Sequence, residues 1–170
     1  MSELSETAYE RVEDARIVLE TLGMDAERSN ERSALVLPAL LRLAPSESWA
    51  EAANPMLGTR AIMNFIRDEY GKDYAPNTRE TVRRFTLHQF VEVQLVVQNP
   101  DEPQRPVNSP KWNYQVTAEA LEVLRAYGTD YWQLAVDRSS RSCRGSRPAT
   151  RLRARWIASR SRFRMARPSP

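Results

Sequence analysis

Few residues of this chain are of a type and spacing that could carry out a reaction. There is one histidine, His88, and one cysteine, Cys143, so a zinc cluster of His and Cys ligands has too few donors. His88 falls on a polar helix face, where a lone imidazole reads as a surface group and not as a catalyst. A divalent-metal nuclease of the common type needs carboxylates on the metal and a lysine two residues after an acid, to poise the attacking water. The two lysines, Lys72 and Lys111, are instead preceded at that spacing by Tyr70 and Ser109. Pro100-Asp101 is a nominal Pro-Asp pair, but no partner triplet follows it. The five glycines are scattered singly, which excludes a phosphate-cradling loop. What remains is a set of cations and hydrogen-bond donors, whose chemistry is recognition.

That set lies on one helix and one loop. At about 100° per residue, Val82, Thr86, Phe90 and Val93 fall within about 80° of arc and face a core. Thr81, Arg84 and His88 fall on the opposite side, with the donors and charge that a major groove accepts. Arg79 and Arg83 flank the apolar stripe, within reach of a phosphate. Asn77 and Thr78 at the start of the helix complete the candidate set there. Arg105, Asn108, Ser109 and Lys111 lie in a proline-rich loop and could hold phosphates or enter a minor groove. A plain solvated helix face is the competing reading of the same charges.

The charge distribution bears on that choice. The net charge of +3 combines 22 acidic and 14 basic residues in 1–137 with 11 arginines and no acid in 138–170. Only the stretch 72–111, with 6 basic and 5 acidic groups, escapes net negative charge within the body. The pI near 9.3 therefore describes the C-terminal stretch and says nothing of a basic body.

The elements that would position these groups follow from periodicity and caps. Ala8, Val12, Ala15, Leu19 and Leu22 recur at helical spacing over Thr7–Leu22, and Gly23 offers a stop. Asn30 caps a second helix to about Leu43, kinked by Pro38. Pro45 to Trp49 reads as a loop. A third helix runs from Thr59 to Tyr70, closed by Gly71. Asn77 with Glu80 reads as a capping box that starts the helix to Val93. Leu95–Gln98 and Trp112–Val116 read as strands around a loop with four prolines. Thr117 caps a helix to Tyr127, and a short last helix follows over Thr129 to Asp137. The fold class expected is mainly α, a winged helix-turn-helix with a two-stranded β-hairpin wing. Residues 1–137 form that unit, and 138–170, of which 21 of 33 are Arg, Ser or Pro, a basic tail without structure. No apolar run is long enough to span a bilayer, which with one cysteine points to the cytoplasm and to no membrane partner.

Asn54-Pro-Met-Leu-Gly58, Tyr74-Ala-Pro-Asn-Thr-Arg-Glu-Thr-Val-Arg-Arg84, Leu87-His-Gln-Phe90 and Arg105-Pro-Val-Asn-Ser-Pro-Lys111 stand in the order of a known domain. The stretch from about residue 8 to 136 resembles the N-terminal domain of the BsuBI/PstI type II restriction endonucleases. The resemblance implies a winged helix-turn-helix that helps read a short palindrome, CTGCAG by family precedent, and double-stranded DNA as partner. A homodimer is compatible with that. It also implies a separate PD-(D/E)XK nuclease domain using Mg2+, which these 170 residues do not contain, so no cofactor is expected here. Two departures stand out. Phe85 replaces a polar residue, expected to be Gln, at the edge of the polar face. From Arg138 the composition also suits translation in a wrong frame, as in a truncated or frameshifted gene. A winged helix regulator of a restriction-modification operon and a protein-interaction module remain the alternatives, since fold alone separates none of these.

Overall fold

The computed structural model describes residues 4–142. The stretch from Cys143 onward lies outside the described residues, and with it most of the expected basic tail. Helix α1 spans Glu6–Thr21, and the Ser5 hydroxyl accepts from the Ala8 amide at its start. Helix α2 spans Glu31–Leu40 behind the cap that Asn30 gives to the Ser33 amide. Every residue of α2 from Ser33 to Leu40 is buried, so it is the central helix of the core. Pro38 lacks the amide that would continue the ladder, and the helix ends at Leu40, three residues before the expected Leu43. Arg42 follows with φ 53°.

The expected loop over 45–49 instead leads into a 3-10 turn, Trp49–Glu51, closed by a capping box between Ser48 and Glu51. The buried Arg11 guanidinium holds this segment by donating to the Glu47 and Pro45 carbonyls and by lying over the Trp49 ring. Helix α3 spans Thr59–Tyr70 as expected, and Gly71 closes it at φ 69°, where a side chain would be strained.

The second helix of the motif departs from the reading at both start and middle. It comprises α4, Thr78–Val82, a π-helical turn over Arg83–Leu87, and α5, His88–Glu92. The Asn77 side chain makes no cap, and Glu80 turns instead to Arg83 and Arg84, so the capping box does not form. The π turn has a physical cause. At regular α-helical pitch Val82, Thr86 and Phe90 share one stripe, but Leu87 would lie about 140° round the helix from Val82. The wider turn lets Val82, Thr86, Leu87 and Phe90 all be buried. Arg32 of α2 donates to the buried Thr86 hydroxyl at 3.1 Å, fixing the turn against the central helix.

Strand β1, Val96–Gln98, pairs antiparallel with β2, Tyr114–Val116, in the register Val96 to Val116. Leu57 adds an isolated antiparallel bridge to Tyr114, with both amides donating at 2.9 Å. This explains the Asn54–Gly58 motif: the Asn54 side chain donates to the Val116 carbonyl, the Asn54 carbonyl accepts from the Gln115 side chain, and a Cβ on Gly58 would meet the Trp112 carbonyl at 3.3 Å. Helix α6, Ala118–Ala126, is capped by Thr117 as expected. Helix α7 spans Trp132–Ser142, starting later than expected and crossing residue 138, where the composition changes. Tyr127 joins these last helices to the body, with edge-on contacts to Trp49 and Trp132 and a hydrogen bond to Asp14. The chain is thus mainly helical, with helix, turn, helix and antiparallel hairpin in the order of a winged helix-turn-helix. Among the described residues, no helix is long and apolar enough to cross a membrane.

Candidate nucleic-acid interface

The buried row of Val82, Thr86, Leu87 and Phe90 leaves Arg84, Phe85 and His88 on the outer side of the α4–α5 segment. Arg79 is exposed, while Thr78, Thr81 and Arg83 are half-buried. Arg83, Arg84 and His88 line one open groove together with Gln98 at the end of β1 and Tyr114 at the start of β2. The structure therefore joins the helix face to the base of the hairpin. Gln98 and Tyr114 are not among the residues that the sequence singles out, because strand spacing gives the hairpin but not how its base lies against the helix face.

One carboxylate organises the cations. Glu80 accepts from Arg83 through both oxygens, at 2.8 and 3.0 Å, and also from Arg84. These hydrogen bonds hold the Glu80 carboxyl down at about 2, so it stays ionised at any pH used for binding. Its folded value is depressed, so the stabilisation it gives is present above its ordinary value and is lost only as pH falls toward 2. His88 lies 3.5 Å from Glu92. Burial pushes the Tyr114 hydroxyl up, so it is a neutral hydrogen-bonding group at the edge of the groove.

The loop between the strands needs a correction. Arg105 was expected to face a phosphate, but its side chain is 6% exposed and turned inward. It donates to the Asn99 side chain at 3.1 Å, to both Asp101 oxygens at 3.2 and 2.7 Å, and to the Lys111 carbonyl at 2.7 Å. Glu102 is a further partner. Asn99, at φ 45°, also accepts from the Asn113 amide, so the arginine ties together the two ends of the loop. Asn108 and Lys111 remain exposed on it, and Ser109 accepts from the Lys111 amide. The described residues include no group of three or more His, Cys, Asp or Glu placed to hold a metal ion.

A helix-turn-helix with an antiparallel hairpin beside its second helix, and a groove lined by two arginines where the two meet, is the arrangement of the winged helix-turn-helix class. Residues 9–145 match the family described as the BsuBI/PstI restriction endonuclease HTH domain, and the chain belongs to that family. Over 129 residues it is 46% identical to the type II restriction enzyme BsuBI of Bacillus subtilis, covering 76% of this chain and 41% of that one. Over 124 residues it is 36% identical to the type II restriction enzyme AplI of Arthrospira platensis (strain NIES-39 / UTEX 3086 / IAM M-135), covering 73% and 38%. The solved structure of SdaI restriction endonuclease superposes with a TM-score of 0.78 at 35% identity, covering 88% of this chain and 46% of the other. The chain thus spans less than half the length of the relatives it matches.

Proposed function

We propose that this chain binds double-stranded DNA and reads a short site through the outer face of α4–α5, as the site-reading domain of a BsuBI/PstI-like restriction endonuclease. The observation that carries this reading is the groove in which Arg83, Arg84 and His88 meet Gln98 and Tyr114. Arginine and glutamine suit guanine and adenine edges, and the buried row beneath holds the helix at a fixed height. Arg79, Asn77 and Thr78 at the start of α4 supply backbone contacts, and Asn108 and Lys111 of the wing hold phosphates. The site proposed is CTGCAG, read in the cytoplasm. A twofold site suits two copies of the chain related by the same symmetry.

The test is competition binding of the full chain at fixed salt, on duplexes that contain or lack CTGCAG. Preference for the site by at least about tenfold is expected. Equal affinity for both duplexes would remove the site, and no binding to either would favour a protein-interaction role. The arginine-rich stretch 138–170 is present in both arms, so its counterion release affects both alike.

Two further outcomes are expected. The purified 170-residue chain with Mg2+ should leave plasmid DNA uncut, because neither lysine follows an acid at the spacing that poises a water. Linear fragments with defined ends would contradict this. Replacing Glu80 with Gln should tighten binding to random DNA by about threefold, since two guanidinium groups lose their internal anion. The site-to-random ratio should fall in the same variant, because Arg84 is no longer held in one geometry. An unchanged ratio would show that Glu80 does not position it.

A further inference from the structure

Phe85 is 57% exposed on the outer side of the π turn, next in sequence to Arg84 and three residues before His88, both of which line the groove. No other large apolar side chain of residues 78–92 is exposed to that degree. Its neighbours on this face are all polar: the side chains of Arg84 and His88 are 67% and 63% exposed. An apolar ring set among donors is not explained by the core, which Thr86 and Leu87 already fill at this turn. Nor do the hydrogen bonds of the neighbouring arginines involve it.

The base edges in a major groove present one apolar group, the 5-methyl of thymine, among hydrogen-bonding atoms. A surface that mixes cationic donors with one phenyl ring matches that mixture. We infer that Phe85 is a specificity-determining residue that packs on a thymine methyl while Arg84 and His88 address neighbouring base atoms. This rests on the base-reading role proposed above for the same face. Wedging between base pairs is a different device, used from the minor groove, whereas the helix of this motif enters the major groove.

The experiment begins with selection of preferred duplexes by the full chain from a randomised pool, so that no site is assumed. Each thymine of the selected duplex is then replaced by uracil, which deletes only the methyl group. Wild-type protein should lose about fourfold in affinity at one thymine per half-site, which is about 0.8 kcal/mol at about 1.4 kcal/mol per factor of ten. Phe85→Ala should bind the thymine and uracil duplexes equally, and Phe85→Leu should keep part of the difference. Thermal midpoints are measured for both variants; an exposed side chain should leave them unchanged. A selected duplex that tolerates uracil at every thymine overturns the Phe85 contact and leaves base reading intact. A Phe85→Ala protein with the wild-type thymine preference overturns it as well. A pool that yields no preferred sequence removes base reading itself, and this contact with it.

Discussion

An Arg84→Ala protein is expected to lose about 1–3 kcal/mol on the preferred duplex and much less on random DNA. The reason lies in where the side chain sits. Arg84 is exposed, points away from the buried Val82 and Thr86, and among the described residues pairs with Glu80, so its removal leaves the core untouched. A surface ion pair of this kind contributes little to folding, so the fold should survive and any loss belongs to binding. Arg79→Ala should instead weaken both duplexes nearly equally, since a phosphate contact positions without specifying. Competition binding at fixed salt, with circular dichroism as the control for folding, separates the two. A folded Arg84→Ala protein that keeps its site preference would mean that this helix does not read bases.

Arg105→Ala should act on stability. Removing the guanidinium leaves the Asn99 side chain and the Lys111 carbonyl without their charged donor and separates Asp101 from its cation. Asp101 and Glu102 are exposed, which lets water replace part of the loss, so the cost falls mainly on the Asn99 side chain and the Lys111 carbonyl. The thermal midpoint should fall by several degrees. Arg105→Lys should recover only part of this, because an ammonium cannot bridge Asp101, Asn99 and Lys111 as the planar fork does. The salt dependence of DNA binding is the discriminating measurement. An unchanged midpoint with a flatter salt slope would mean that Arg105 reaches a phosphate after all.

The contrast between Arg84 and Arg105 shows how far the sequence could be read. The caps at Asn30 and Thr117 and the stop at Gly71 are local matters of a few residues, and the structure has all three where the spacing puts them. The hairpin and the family motifs were legible for the same reason. Arg105 was not, because an arginine in a polar loop looks the same whether it faces solvent or a ring of acceptors. The pair Asn77 and Glu80 satisfies the spacing of a capping box, but Arg83 and Arg84 compete for the carboxylate and win with charge. A helical wheel at constant pitch cannot foresee the π turn either. It placed Val93 in the core stripe, whereas Leu87 fills that role and Val93 is half-buried. Arg32 of α2 meets Thr86 inside this turn, a tertiary contact that periodicity does not carry.

That local widening has a bearing on how such a domain could change its target. The turn over Arg83–Leu87 holds more residues than the regular spiral needs to carry the chain from Val82 to Phe90. Loss of a single codon within it would restore ordinary pitch while both anchors stayed in their sockets. Only the outward side chains between the two anchors would take new angular positions. A one-residue deletion, elsewhere in a helix a ruinous event, is here a route by which a descendant could exchange one set of protruding groups for another without rebuilding what lies beneath.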